Sequence, residues 1–400
     1  MSTWQNGIET IIGPTSLASF MDVHWDDAPL VIQGRNPELY EGLLAIEELD
    51  QLVHSSGLRY PTFRLVREGK EIPTSEYTVG PLEWGTGTVS GFIDLDSTRD
   101  LMRRGCTLVM ESCQRLHRPI AELSRLFEHT FQCPSPVNLY VTPPRTQGFQ
   151  PHFDVQNVFV LQLHGTKHWK VYGPHIERPL PSQAVHGAVP PGPLLHDITL
   201  TPGDLLYIPR GFVHCAHTSG ELSTHLSVSL KPTTWADVFQ GLVNSLPHDA
   251  RFRSSIQLQS SGPAEATETM ESVFSSLMDA FSEGSDLEDV LDDMGRRFVA
   301  TRLPSTQGQL LALRTDTPVT LETVLTVQPG MISRIDADGE KAHLHFYGKR
   351  VSVPWNTIGA LRWIANSGTF TTRDIPGDLS DDTRCQLAQH LVNEGFLICE

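Results

Sequence analysis

The spacing of apolar positions changes character along this chain. Between residues 137 and 229 they fall in short blocks, 137–141, 158–163, 169–172, 205–208 and 226–230, set apart by Gly and Pro turns. Short strands divided in this way predict a compact antiparallel barrel or sandwich. Pro190-Pro191-Gly192-Pro193 breaks the middle of the region and is expected to be a surface loop. The first hundred residues mix short helical and extended patterns. Among them Leu44, Ile46, Leu49, Leu52 and Val53 have a helical spacing.

Beyond Pro232 the period lengthens. Val238, Phe239, Leu242, Val243 and Leu246 mark one face of a helix. So do Met270, Val273, Phe274, Leu277, Met278 and Phe281, and again Leu287, Val290, Leu291, Met294 and Phe298. Three amphipathic helices are expected, with a polar and mobile stretch at 254–267 between the first two. The last hundred residues carry strand patterns at 320–325 and 343–347. Helical patterns at 357–365 and 381–393 follow, then an extended end at 396–399. That order looks like a small winged-helix module. The expected organisation is α+β: a barrel domain over 1–232, a helical region over 233–305 and a winged-helix-like domain over 306–400.

Composition narrows the function. A 39% hydrophobic share is enough for a sizeable core. The formal charge of −17 repels phosphate backbones and anionic lipid, so no direct nucleic-acid or membrane-surface role is expected. The C-terminal module fits this, because its four arginines after Lys349 (Arg350, Arg362, Arg373 and Arg384) are outnumbered by acids. None of the six cysteines forms a CxxC pair, which predicts reduced thiols in a cytoplasmic protein. The first 13 residues lack the features of a signal peptide, and no apolar run is long enough to span a bilayer.

The candidate chemistry begins at His152-Phe153-Asp154. On a strand, positions i and i+2 share a face, so imidazole and carboxylate could reach one metal. Gly203-Asp204 turns into a strand, Pro209-Arg210-Gly211 ends it, and His214 follows the turn. Two histidines and one carboxylate leave three adjacent positions open on octahedral iron(II), which suits an α-keto acid and dioxygen. His217 and His225 compete with His214. The spacing from the Pro-Arg-Gly turn favours His214, with His217 expected at the surface and His225 near the pocket. A second such pair, His24-Trp25-Asp26, has no Gly turn or basic residue suitably placed after it and is read as structural. Lys167 opens a strand just after Gly165-Thr166, where an ammonium could bind the far carboxylate of 2-oxoglutarate.

Taken together, Asn138-Leu139-Tyr140, His152-Phe153-Asp154, Gln162, Gly165, Lys167, Trp169 and the 203–214 segment resemble the Jumonji C oxygenases, which have a double-stranded β-helix (cupin) barrel. Within that family the closest likeness is to the ribosomal oxygenases, whose N-terminal segment resembles residues 25–32. The resemblance implies iron(II) held by His152, Asp154 and His214, and 2-oxoglutarate on Lys167. It places Asn138 and Tyr140 in the pocket, with Ser227 or Ser229 lining it from the last barrel strand. It also implies a homodimer built by the helical region, and a protein or peptide substrate, since known members hydroxylate a histidine or arginine of a ribosomal protein. Other readings stay open: a tailoring hydroxylase of a small-molecule or peptide natural product, a non-catalytic metal-binding cupin, and a histone demethylase.

Overall fold

The computed structural model describes residues 3–55, 57–246, 250–256, 264–284, 286–302 and 318–399. They form two compact units, Met1–Pro232 and Thr233–Glu400. The expected helical region and C-terminal module thus fall within a single unit.

The first unit has five helices: α1 (Ile8–Ile12), α2 (Leu17–Val23), α3 (Ile46–Ser55), α4 (Leu95–Arg103) and α5 (Arg118–Phe131). Its early strands are β1 (Leu30–Ile32), β2 (Phe63–Arg67), β3 (Lys70–Glu71), the hairpin β4 (Leu82–Trp84) and β5 (Gly87–Val89), and β6 (Thr107–Met110). The barrel region supplies β7 (Val137–Thr142), β8 (Gln147–His152), β9 (Asn157–His164), β10 (Lys167–Pro174), β11 (Leu194–Leu200), β12 (Leu205–Ile208), β13 (Phe212–His217) and β14 (Ser223–Leu230).

Two antiparallel sheets make the barrel. The major sheet has the order β1-β12-β9-β14-β7-β6-β2-β3, and the minor sheet the order β11-β10-β13-β8. The major sheet is covered on both faces, so β9 is buried at seven consecutive positions. Its residues still alternate in destination. Phe159, Leu161 and Leu163 join the outer core with Phe20 of α2 and Ile120, Leu123 and Phe127 of α5. Val158 and Val160 point the other way, into a core shared with Trp169 and Val171 of β10. Phe159 sits among the rings of Phe20, Phe127 and Tyr207 at centroid distances of 5.4, 5.1 and 4.7 Å. Within the first unit, no described helix covers the minor sheet in this way. β10 alternates buried Lys167, Trp169 and Val171 with half-buried His168, Lys170 and Tyr172.

The HxD segment differs from the sequence expectation. β8 ends at His152, and Asp154 lies just past the strand. The pair is brought together by the strand's end and not by the strand's period. The predicted loop around Pro190–Pro193 is non-regular, as expected, and Val189 from it is buried with Phe153 and Val213.

The second unit begins with α6 (Trp235–Ser245), α7 (Ala264–Gly284) and α8 (Leu287–Ala300). Residues 257–263 of the predicted polar stretch lie outside the described residues. The stretch's last positions correct the expectation, because α7 already starts at Ala264. The C-terminal half contains β15 (Val324–Val327), β16 (Arg334–Ala337), β17 (Lys341–Phe346), β18 (Lys349–Pro354), α9 (Ile358–Ala365), β19 (Thr369–Thr371), α10 (Asp381–Asn393) and β20 (Leu397–Cys399). β15 pairs between β19 and β20, while β16, β17 and β18 form a second small sheet. Leu344, Phe346, Leu361, Ile364, Leu391 and Phe396 share one core.

Candidate metal centre and its pocket

A cavity of about 270 Å³ opens between the two sheets. His152, Asp154 and His214 meet on its minor-sheet wall. One candidate ligand atom from each lies within 4.8 Å of the other two, and they are the only such group among the described residues. His152 and His214 are cross-strand partners of β8 and β13. Their ring centroids are 4.4 Å apart, and His214 Nε2 lies 3.6 Å from Asp154 Oδ2. Each imidazole is tied by Nδ1 to a nearby backbone carbonyl, His152 to Gln150 at 2.8 Å and His214 to Phe212 at 3.1 Å. That bond fixes each ring's tautomer and leaves Nε2 for a cation. Burial, then the neighbouring His152, pulls the His214 pKa down to about 4, so this imidazole is neutral and able to ligate at ordinary pH.

The turn before His214 is held from several sides. Gly211 has φ +88°, and a Cβ there would overlap the carbonyl oxygen of Ile176, so glycine is required. The Gly211 N–H donates to the Asp154 carbonyl at 2.8 Å, joining the second ligand's backbone to the third ligand's turn. Arg210 reaches the Asp26 carboxylate through Nε and NH2, both at 3.0 Å. Asn157 completes the knot: it donates to Asp26 at 2.9 Å and accepts from the Arg210 N–H at 2.9 Å. The second His-x-Asp pair is thus structural, as expected. His24 bonds the carbonyls of Ala28 and Pro29, and Asp26 braces the turn that presents His214.

Lys167 enters the same cavity from β10 and is only 5% exposed. A solvated strand end is therefore ruled out. Nζ donates to Thr142 Oγ1 at 3.0 Å and sits 5.8 Å from the Trp169 ring. No carboxylate lies within ion-pair distance among the described residues, and burial lowers the amine to about 7. Facing it across the cavity, the major sheet offers Asn138, Tyr140, His225, Ser227 and Ser229, so every pocket residue expected from the sequence lines the same space. Asn138 Oδ1 accepts from the Ser112 N–H at 2.9 Å. Tyr140 lies flat on His225, with centroids 4.8 Å apart and planes 3° apart. Burial, then Glu111, raises the Tyr140 phenol far above its usual range.

His217 lies on the outer face of the minor sheet beside His168 and is exposed. It does not line the cavity. Sequence reasoning overlooked Thr142, although it follows Asn138 and Tyr140 at the strand period that puts all three on one face. It also overlooked the pocket pair Arg64 and Glu111, bonded at 2.8 Å. They come from β2 and the end of β6, outside the barrel motifs, and carried no local signal.

Comparison with known proteins gives a consistent result. Residues 113–238 match the JmjC domain family. The bifunctional lysine-specific demethylase and histidyl-hydroxylase NO66 of Aedes aegypti is 30% identical over 319 residues, 74% of this chain and 48% of that protein. Ribosomal oxygenase 2 of Bos taurus is 27% identical over 419 residues, 92% of this chain and 86% of the relative. The chain spans about half the length of NO66 and of the ribosomal oxygenase 1 proteins it matches. The solved structure of Escherichia coli ribosomal oxygenase YcfD in complex with cobalt and 2-oxoglutarate superposes with TM-score 0.55 at 17% identity, over 97% of this chain and 99% of that one. A likeness of that degree establishes the fold.

Proposed function

With residues 113–238 forming a JmjC domain, we propose that this protein is an iron(II)- and 2-oxoglutarate-dependent oxygenase that hydroxylates a side chain of a protein or peptide. The observation that carries the reading is the juxtaposition of the His152, Asp154 and His214 triad with a buried Lys167 that has no counter-charge among the described residues. The donor set fits the metal: two imidazoles with Nε2 free and one carboxylate suit iron(II) and leave one side of it open. When bound, iron and 2-oxoglutarate supply the oxidising chemistry, with dioxygen consumed and succinate and carbon dioxide released. The chain's own part is positioning. Lys167 neutralises the far carboxylate of the keto acid, Asn138 and Tyr140 with Ser227 and Ser229 shape the facing wall, and burial keeps the pocket dry.

A ribosomal-protein substrate is the preferred choice, because relatives of this chain are named ribosomal oxygenases and because a −17 charge speeds encounter with a basic loop. In this reading the second unit divides at about residue 305 into a dimerisation region and a winged-helix-like domain, and the protein works in the cytoplasm as a homodimer. Support for the dimer comes from α6. Val238 and Leu242 are buried, while Trp235, Phe239 and Val243, each four residues from the next, form an exposed apolar stripe. The same helix region leaves Val273 and Phe274 of α7 exposed. Light scattering should return twice the 44.4 kDa chain mass; a monomer at micromolar concentration refutes the dimer.

The test of function is succinate formation with iron(II) and 2-oxoglutarate, using ribosomal-protein fragments in one arm and free amino acids and small metabolites in the other. Turnover is expected in the first arm. Robust turnover only in the second would replace the protein substrate with a small molecule.

A further inference from the structure

His225 is a buried titratable group that neither the metal nor the lysine uses. It is 2% exposed, it lines the cavity, and its Nδ1 is buried without a hydrogen-bond partner. Trp169 Nε1, edge-on to it at 5.5 Å between centroids, is equally without one. Unpaired buried polar atoms are costly and rare in native structures, so two lining one cavity point to a ligand that satisfies them. The nearby groups indicate its charge. Among the described residues Lys167 has no acid within ion-pair distance. The Thr142 hydroxyl already accepts from Lys167 at 3.0 Å and from Thr107 at 3.3 Å, which leaves its own proton to donate. Lysine, threonine, indole and imidazole N–H together make a donor set for a carboxylate.

We infer that His225 is a binding residue for 2-oxoglutarate, donating from Nδ1 to the far carboxylate whose charge Lys167 neutralises. A neutral ring suits this task. Burial, then the positive Lys167, holds its pKa far below the usual histidine range, so the site presents one cation and not two. The parallel stack on Tyr140 sets the ring plane and thereby the direction of the N–H. This inference rests on the oxygenase reading.

The experiment is calorimetric titration of the manganese-loaded full chain with 2-oxoglutarate and, separately, with pyruvate, a keto acid that lacks the far carboxylate. His225→Phe keeps the stacking ring and removes the nitrogens. His225→Gln restores a donor without a ring. A lost hydrogen bond to a charged group should weaken 2-oxoglutarate by about tenfold or more in His225→Phe, with partial recovery in His225→Gln. Pyruvate and manganese affinities should stay as in the parent protein. Unchanged 2-oxoglutarate affinity in His225→Phe, or equal weakening of both keto acids, overturns the assignment and reduces His225 to a packing residue. Failure of the parent protein itself to bind 2-oxoglutarate would instead overturn the oxygenase reading.

Discussion

The two sheets of the barrel divide the work between them. The major sheet is held from outside by helices and carries the aromatic cluster around Phe159. To the cavity it contributes the neutral groups Asn138, Tyr140, Thr142, His225, Ser227 and Ser229, together with the mutually paired charges of Arg64 and Glu111. The outer face of the minor sheet is mostly polar, with His168, His217 and the Lys170–Asp197 pair at 3.6 Å beside Tyr172. Its inner face carries the triad's histidines and Lys167. The major sheet therefore supplies most of the packing, and the minor sheet the metal-ligating histidines and the lysine. A cavity between them can tolerate ionised groups because the major sheet's outer core, and not the pocket, holds that sheet in place.

The sharpest break of this comparison lies in the triad. His152→Ala, Asp154→Ala and His214→Ala should each abolish turnover and lower metal affinity by more than the ~100-fold typical of groups that merely support a ligand. Far-ultraviolet circular dichroism should remain native. His217→Ala and His24→Ala should keep the metal, and full metal binding by His214→Ala would transfer the third ligand elsewhere.

On the major sheet the order of effects reverses. Phe159→Ala removes the centre of the aromatic cluster and should cost about 3–5 kcal/mol in denaturant unfolding. Any protein that still folds should bind manganese normally. A loss below 1 kcal/mol would mean the helices are not what anchors this sheet.

Lys167 joins the two properties, being a charge that the fold buries. Its amine must carry a proton to pair with a carboxylate, and burial lowers its pKa to about 7 in the free protein. Below that pH the site is ready. Above it, binding must take up a proton, so 2-oxoglutarate affinity should fall as pH rises, by at most about tenfold per unit. Titrations between pH 6 and 9 read this slope. Lys167→Arg, always charged, should flatten it; a flat profile in the parent protein would show an amine already protonated throughout. The smallest effect is expected outside the minor sheet, where Lys170→Ala should change stability by less than about 0.5 kcal/mol because the ion pair is solvated.

The same contrast governs what could be read from the chain. The central strands of the major sheet are largely buried and stand out as apolar runs, so β7, β9, β12 and β14 were legible within a few residues. β8 was not, because Gln147-Gly148-Phe149-Gln150-Pro151-His152 contains one large apolar residue and a proline. β11 mixes Leu, His, Asp and Thr on an open face and gave no run either. α5 was missed although Ile120, Leu123 and Phe127 have helical spacing, and Pro119 marks its first turn. The site was legible where residues sit at fixed offsets from a turn, as with His214 and Lys167. It was illegible where partners meet only in space. Neither the Asp26–Arg210 bond nor the Arg64–Glu111 pair leaves a mark on its own neighbourhood.

That bond between Asp26 and Arg210 joins residues 184 positions apart. A ribosome adding about 5–20 residues per second takes roughly 10–40 s to make the intervening chain. Through that interval Asp26 and the first helices can be in place, Asn157 joins only for its last 53 residues, and the arginine that completes the knot has not been made. The loop bearing His214 is thus among the last parts of the barrel to find its brace, and metal capture becomes a late event in the life of the nascent chain. Iron offered early would meet only His152 and Asp154, a weaker and less selective pair. The brace cannot form before Arg210 is made, only four residues ahead of His214 itself.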